Sequence, residues 1–179
     1  MRQIIYWTLG TLIAAGILHI VTILYTPSFI MSRAMAGIAE QAGGRNMILY
    51  PPRVTAEARG IVRPSPDLLY AACAYDVSGG PVKLTASVPD TYWSLSLFAD
   101  NTDNYFALND KQANAKSVSL VVARSQVAGG TIGGIPVIVS PTDRGIALLR
   151  SLVDDERKFD AVDRARREAT CEAMPAANP

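Results

Sequence analysis

The run Asp67 to Val77 (DLLYAACAYDV) is apolar on both of its alternations. Successive residues of a strand face opposite sides of a sheet, so a strand of this kind is covered on both faces. Working outward, Val82 to Val88 (VKLTASV), Trp93 to Ala99 and Ser117 to Ala123 alternate cleanly, Tyr105 to Leu108 reads as strand, and Ile135 to Val139 supplies another. Turn signals separate them: Ser78-Gly79-Gly80-Pro81, Pro89-Asp90, Asp100-Asn101-Thr102-Asp103 and the glycine-rich Gly129 to Gly134. The expected fold class is mainly β, an antiparallel sheet or sandwich, with C-terminal helices, hence α+β.

Past the last of these strands the pattern changes. Pro141-Thr142-Asp143 has the composition of a helix start, and Ile146, Leu149 and Val153, with Leu148 and Leu152 beside them, have the spacing of a packed helix. Asp154 to Glu172 carries charges of both signs, as a solvated helix does, and Pro175 to Pro179 is expected to fray. On this reading Cys73 lies in the apolar strand and Cys171 in a polar helix. An oxidising compartment would let them bridge, but the expectation is two unpaired thiols, one of them buried.

The 179 residues are 49% hydrophobic and 18% charged, with a mean hydropathy of +0.17. That length suits one medium domain that buries a core without metal or disulfide staples. The positive hydropathy has a local source. Ile4 to Tyr25 (IIYWTLGTLIAAGILHIVTILY) is uncharged and long enough to cross a bilayer, with Tyr6 and Trp7 at one end and Tyr25 at the other as interfacial aromatics. Pro27 is expected to stop this transmembrane helix. The competing reading is a cleavable signal peptide, but Ala34-Met35-Ala36, the nearby small-residue site, lies well past the span, so an uncleaved anchor is expected. Arg2 and the free amine favour a cytoplasmic N-terminus at a bacterial-type inner membrane, which places the rest of the chain in the periplasm. From Ser28 to Ala42, the residues Met31, Met35, Ile38 and Ala42 recur at helical spacing until Gly43-Gly44. The expected organisation is an anchor over 1–26, a juxtamembrane helix resting on the domain over 27–44, a β-rich domain over 45–174 and a tail over 175–179.

Within the anchor, Thr8, Thr11, Ala15, His19 and Thr22 share one helix face. Small and hydroxylated stripes let membrane helices pack closely, which points to a partner helix; the alternative is hydroxyls bonded to their own backbone. His19 is the single histidine. An ionisable group at that depth is either a proton relay or, more simply, a neutral imidazole hydrogen-bonded to a neighbouring helix.

Composition excludes several chemistries. Lys and Arg number 17 against 16 Asp and Glu, which leaves no basic face, so no nucleic-acid partner is expected. With the one imidazole in the anchor, the domain has no Ser-His-Asp or Cys-His nucleophile pair and no zinc site of the usual kind; neither a metal nor another cofactor is expected. Gly129 to Gly134 (GGTIGG) joins strand to strand without the lysine of a phosphate loop and reads as a hairpin connector. Asp100 to Asp110 (DNTDNYFALND) has oxygen enough for calcium but lacks the central glycine and terminal glutamate of an EF-hand, so an Asx-capped turn is expected.

Ile61 to Leu108 resembles the family of domains of unknown function 1254. The likeness rests on Asp67-Leu68-Leu69-Tyr70 at a strand start, the Gly80-Pro81 turn and Val88-Pro89-Asp90-Thr91-Tyr92-Trp93 before an aromatic strand. Leu148 to Asp155 (LLRSLVDD) extends it, so that it covers about residues 45 to 170. Longer members carry Asn-Arg-Asp where this chain has Pro64-Ser65-Pro66-Asp67, and many continue into a companion domain of unknown function 1214. The resemblance implies that a separate chain, anchored by a similar helix, supplies that companion and meets the Thr/His stripe.

The expected function is therefore a membrane-anchored, extracytoplasmic β-rich module that assembles with a partner protein, without catalysis. The alternative is a small-molecule binding or histidine-independent hydrolytic domain. Its acid/base groups would be Arg63, Asp67, Tyr70, Asp90 and Asp100, all at strand ends in the region of resemblance. Turn and packing roles are the plainer account of those five residues.

Overall fold

The computed structural model describes residues 1–55 and 64–175. The doubly apolar run forms strand β2 (Leu68–Asp76), after a two-residue strand β1 (Ile48–Leu49). Next come β3 (Val82–Ser87), β4 (Trp93–Ala99), β5 (Asn104–Asn109) and β6 (Ser117–Ala123), then the hairpin pair β7 (Thr131–Ile132) and β8 (Ile135–Val139), β9 (Arg144–Leu152) and β10 (Thr170–Ala173). Helix α1 (Arg2–Ala42) precedes the domain, while α2 (Asp110–Ala113) and α3 (Phe159–Arg167) lie within it.

Two five-stranded sheets result. The first has the order β1-β2-β9-β4-β5 and is antiparallel throughout; the second has the order β10-β3-β6-β8-β7, with β6 and β8 parallel. Inward residues of the first sheet (Ala71, Cys73, Tyr75, Leu95, Leu97, Ala147, Leu149) meet those of the second (Val82, Leu84, Ala86, Leu120, Val122) in one core. Leu69 and Val153 close one end of the core with Val162 of α3. At Gly133 and Gly134, with φ of 59° and 79°, the β7–β8 turn uses the left-handed conformations that glycine tolerates, so GGTIGG is a connector. The Asp100 loop is an Asx turn, in which Asn101 Oδ1 accepts from the Asp103 amide at 3.1 Å.

The expectations for the C-terminal third need correction. Arg144 to Leu152, expected as a helix, is the central strand β9, paired with β2 along nine residues and with β4 along seven. Its apolar run satisfies both periods, and pairing on two sides decides for the strand. The expected helix over Asp154 to Glu172 is confined to Phe159–Arg167, because Thr170 onward pairs with β3. That change moves Cys171 into β10, facing Cys73 across the core, where the two form a disulfide rather than the unpaired thiols expected.

Pro27 does not end the first helix. Helix α1 runs unbroken to Ala42, and Gly43 caps it in the left-handed conformation (φ 87°). A proline inside a helix removes one backbone bond. Here the following residues are held by tertiary packing: Met31 is buried, and α1 packs on β1, β2 and β9.

Candidate functional site

The joint between α1 and the sheets is a densely bonded polar feature centred on Asp76. Asp76, the last residue of β2, receives Arg45 at 2.7 Å and Arg144 at 3.0 Å on one carboxylate oxygen. Its other oxygen takes the Ser78 amide at 3.0 Å and the Ser78 hydroxyl. Asn46 joins this group through its amide: Nδ2 donates to the Asp76 carbonyl at 3.0 Å, and Oδ1 accepts the Asp76 amide at 2.7 Å. Partial burial pushes the pKa of Asp76 up, but the donors from Ser78, Arg144 and Arg45 outweigh it and bring the pKa from 3.8 to about 2.

The carboxylate is therefore more acidic folded than unfolded. Its stabilising contribution is present above pH 3.8 and is lost as the pH falls toward about 2. Half-exposed arginines screen the pair, so the expected contribution is on the order of 1–2 kcal/mol. Asp76→Asn should remove that part of the acid dependence. Unfolding midpoints of the full chain between pH 5 and 2 check this, and equal slopes for the two proteins would count against the clamp.

Toward its N-terminus α1 has no burial. An 18-residue window of mean hydropathy 1.9 makes it long and apolar enough to cross a membrane. On the Thr/His stripe, Thr11 Oγ1 donates to the Trp7 carbonyl at 2.9 Å and Thr22 Oγ1 to the Leu18 carbonyl at 2.8 Å. Thr8, Ala15 and His19 share that exposed surface.

Four of the five residues of the hydrolytic alternative lie among the described residues, and the structure does not bring those four together. Arg63 lies outside the described residues. Asp67 and Asp90 precede β2 and β4 at one end of the first sheet, where Leu68 and Trp93 face the end of β9. Asp100 follows β4 at the opposite end, its amide bonded to Thr142 Oγ1. Tyr70 accepts the Ser65 amide at 2.9 Å. Asp90 is exposed and paired with Lys116, which holds it below the usual carboxylate range and keeps it ionised near neutrality. It borders two surface cavities of about 640 and 390 Å³, on either side of the Pro89 turn.

Two polar centres were not foreseen. Tyr75 Oη, buried, meets the Phe98 carbonyl at 3.1 Å, Tyr105 Oη at 2.9 Å and Ser140 Oγ at 3.2 Å, and burial pushes both tyrosines up from their ordinary value. Arg166 on α3 is buried against the Asp163 carboxylate and donates to the Pro51 and Tyr70 carbonyls at 2.7 Å each. Among the described residues, no three His, Cys, Asp or Glu side chains group as metal ligands.

The model of the family described as Protein of unknown function (DUF1254) matches residues 45–173. No curated protein matches the chain. Two solved structures are similar to it. The VPA0106 protein from Vibrio parahaemolyticus has 16% identity and a TM-score of 0.51 over 63% of this chain and 32% of its own. An uncharacterized protein from Burkholderia cenocepacia has 18% identity and a TM-score of 0.50 over 87% of this chain and 42% of its own. At such identities the likeness is one of fold. The chain spans 32% and 42% of those structures' own lengths.

Proposed function

The chain belongs to the family of proteins of unknown function DUF1254, and from that premise we propose that it is a membrane-anchored, extracytoplasmic β module that assembles with a partner protein. The observation that carries the reading is the combination of a long apolar helix with a domain closed by a disulfide. Disulfides persist in oxidising compartments, which supports a domain on the periplasmic side of a bacterial-type inner membrane, with Arg2 and the amine on the cytoplasmic side. The partner we propose is a chain carrying the companion domain that longer family members hold in the same polypeptide. The Thr8–Thr22 stripe is the surface offered to its helix. The alternative, small-molecule binding, draws support from the cavities beside Asp90 alone.

Topology is the first test. Alkaline phosphatase fused after Pro175 should be active in intact cells, and the thiols of the full chain should resist alkylation until reduction. An inactive fusion together with freely alkylated thiols would overturn the placement.

A further inference from the structure

Between Arg2 and Arg33 the sequence has no Asp, Glu, Lys or Arg. Both arginines lie on the one continuous helix α1, where 1.5 Å per residue sets them roughly 46 Å apart, close to the 40–45 Å thickness of a bilayer with its headgroups. Large apolar side chains stay exposed along α1 as far as Phe29 and Ile30, and Met31 is the first that the domain buries. The charge-free stretch thus ends where the covered stretch begins.

Tyr25, Phe29 and Arg33 follow one another at four-residue steps and share a helix face. The Tyr25 and Phe29 rings stack with centroids 6.3 Å apart, and the Arg33 guanidinium carbon lies 5.5 Å from the centre of the Phe29 ring. Helical side chains lean toward the N-terminus, so Arg33 reaches back along α1 toward the apolar stretch. The ring holds the guanidinium in place and leaves its in-plane donors free. Among the described residues no carboxylate forms an ion pair with Arg33, although it is exposed. Its chain neighbour Ser32 lines a small cavity of about 80 Å³ with Arg45 and Arg144, which share the single Asp76 carboxylate. Positive charge is therefore in excess at this level of the helix.

We propose that Arg33 binds the phosphate of an anionic phospholipid in the leaflet on the domain's side, with Phe29 and Tyr25 seated against the lipid below it. A guanidinium fork matches phosphate oxygens with two parallel bonds. The aromatic rings, continuous with the apolar span, suit the layer just beneath the phosphates. The inference rests on the membrane-anchor reading and adds to it a lipid-binding residue.

The test uses the full chain, purified in detergent and titrated with phosphatidylglycerol or phosphatidylcholine, with retained lipid counted by native mass spectrometry. Phosphatidylglycerol should be retained in preference, and Arg33→Gln should weaken its retention about fivefold, the effect of one arginine at an anionic surface. Arg164→Gln, which removes an exposed arginine of α3, should leave retention unchanged. An equal fall in both variants would reflect net charge alone, and no fall in Arg33→Gln would leave that residue without a lipid; either result overturns the proposal. Displacement of the lipid by millimolar inorganic phosphate would mark a site for free anions and overturn it as well. A nitroxide attached through Leu12→Cys, in vesicles of the same two lipids, separates these failures from failure of the anchor. A label shielded from a water-soluble relaxation agent, with retention unchanged in Arg33→Gln, refutes the lipid site and leaves the anchor standing; a water-exposed label refutes both.

Discussion

Gly145→Ala is expected to lower stability by at least about 4 kcal/mol, much of what a domain of this size has in reserve. The reason is space rather than conformational freedom. Gly145 sits in β9 between Tyr75 on β2 and Ala99 on β4, and a methyl group there would overlap the Phe98 carbonyl oxygen and the Tyr75 hydroxyl and ring. Neither obstacle can retreat. The carbonyl belongs to a strand hydrogen-bonded on both sides, and the Tyr75 ring, 1% exposed, is tied to Phe98, Tyr105 and Ser140. Overpacking normally costs a few kcal/mol when side chains can shift, and here backbone must shift as well. Urea unfolding of the detergent-solubilised chain, followed by far-ultraviolet circular dichroism, measures the loss. A midpoint equal to the native one would show that the strand at Gly145 has room the geometry denies. Truncating Tyr75 to Ala beside it should recover only part of the loss, since the Phe98 oxygen stays.

Removing the disulfide with Cys73→Ala and Cys171→Ala should cost about 3–5 kcal/mol. The bridge closes a segment of 98 residues and thereby deprives the unfolded chain of conformational freedom, an effect on the order of 4–5 kcal/mol at that length. It also links β2 in one sheet to β10 in the other, so each sheet is held in place by the other. Both cysteines are buried, at 0% and 5% exposure, and a reductant should act only when denaturant opens the domain. Thermal unfolding of the double variant against the native chain decides the first point, and mass shift after alkylation under reductant decides the second. Equal midpoints would mean that the sandwich holds without its bridge.

How far the residues announced this architecture depends on the kind of signal. Trp93 to Ala99 and Ser117 to Ala123 begin with clean alternation, Ile135 to Val139 is a short apolar run between turn signals, and the strands have those bounds. Local pattern is plainest at Val82 to Ser87, where every second residue is buried and the others are only half-covered. Arg144 to Leu152 misleads for the opposite reason. Covered on both faces, it loses the alternation that marks a strand, while Ile146, Leu149 and Val153 imitate a helix. Gly145, a poor helix residue, was the local hint against that reading. The disulfide followed the same error, since Cys171 could face Cys73 only once Thr170 to Ala173 became a strand. For the candidate site, strand-end position singled out Asp67, Asp90 and Asp100 but carried no information on which ends the topology brings together. Asp100 lies at the other end of the sheet for that reason. Arg45, Asp76 and Arg144, the joint of helix and domain, come from three distant segments and meet only in the fold.

The continuity of α1 gives the joint a mechanical meaning. Only Gly43 to Met47 separate α1 from β1, and Arg45 and Asn46 among them are bonded to Asp76, so were α1 to cross a bilayer the domain would follow the tilt of the helix rather than swivel on it. The stretch from Pro27 to Ala42 is roughly 24 Å long at 1.5 Å per residue. Helices adjust to bilayer thickness by tilting, and a tilt of about 20° would swing the far end of such an arm by roughly 8 Å. In a bilayer, lipid thickness would therefore set the height and attitude at which the sandwich presents its outer sheet.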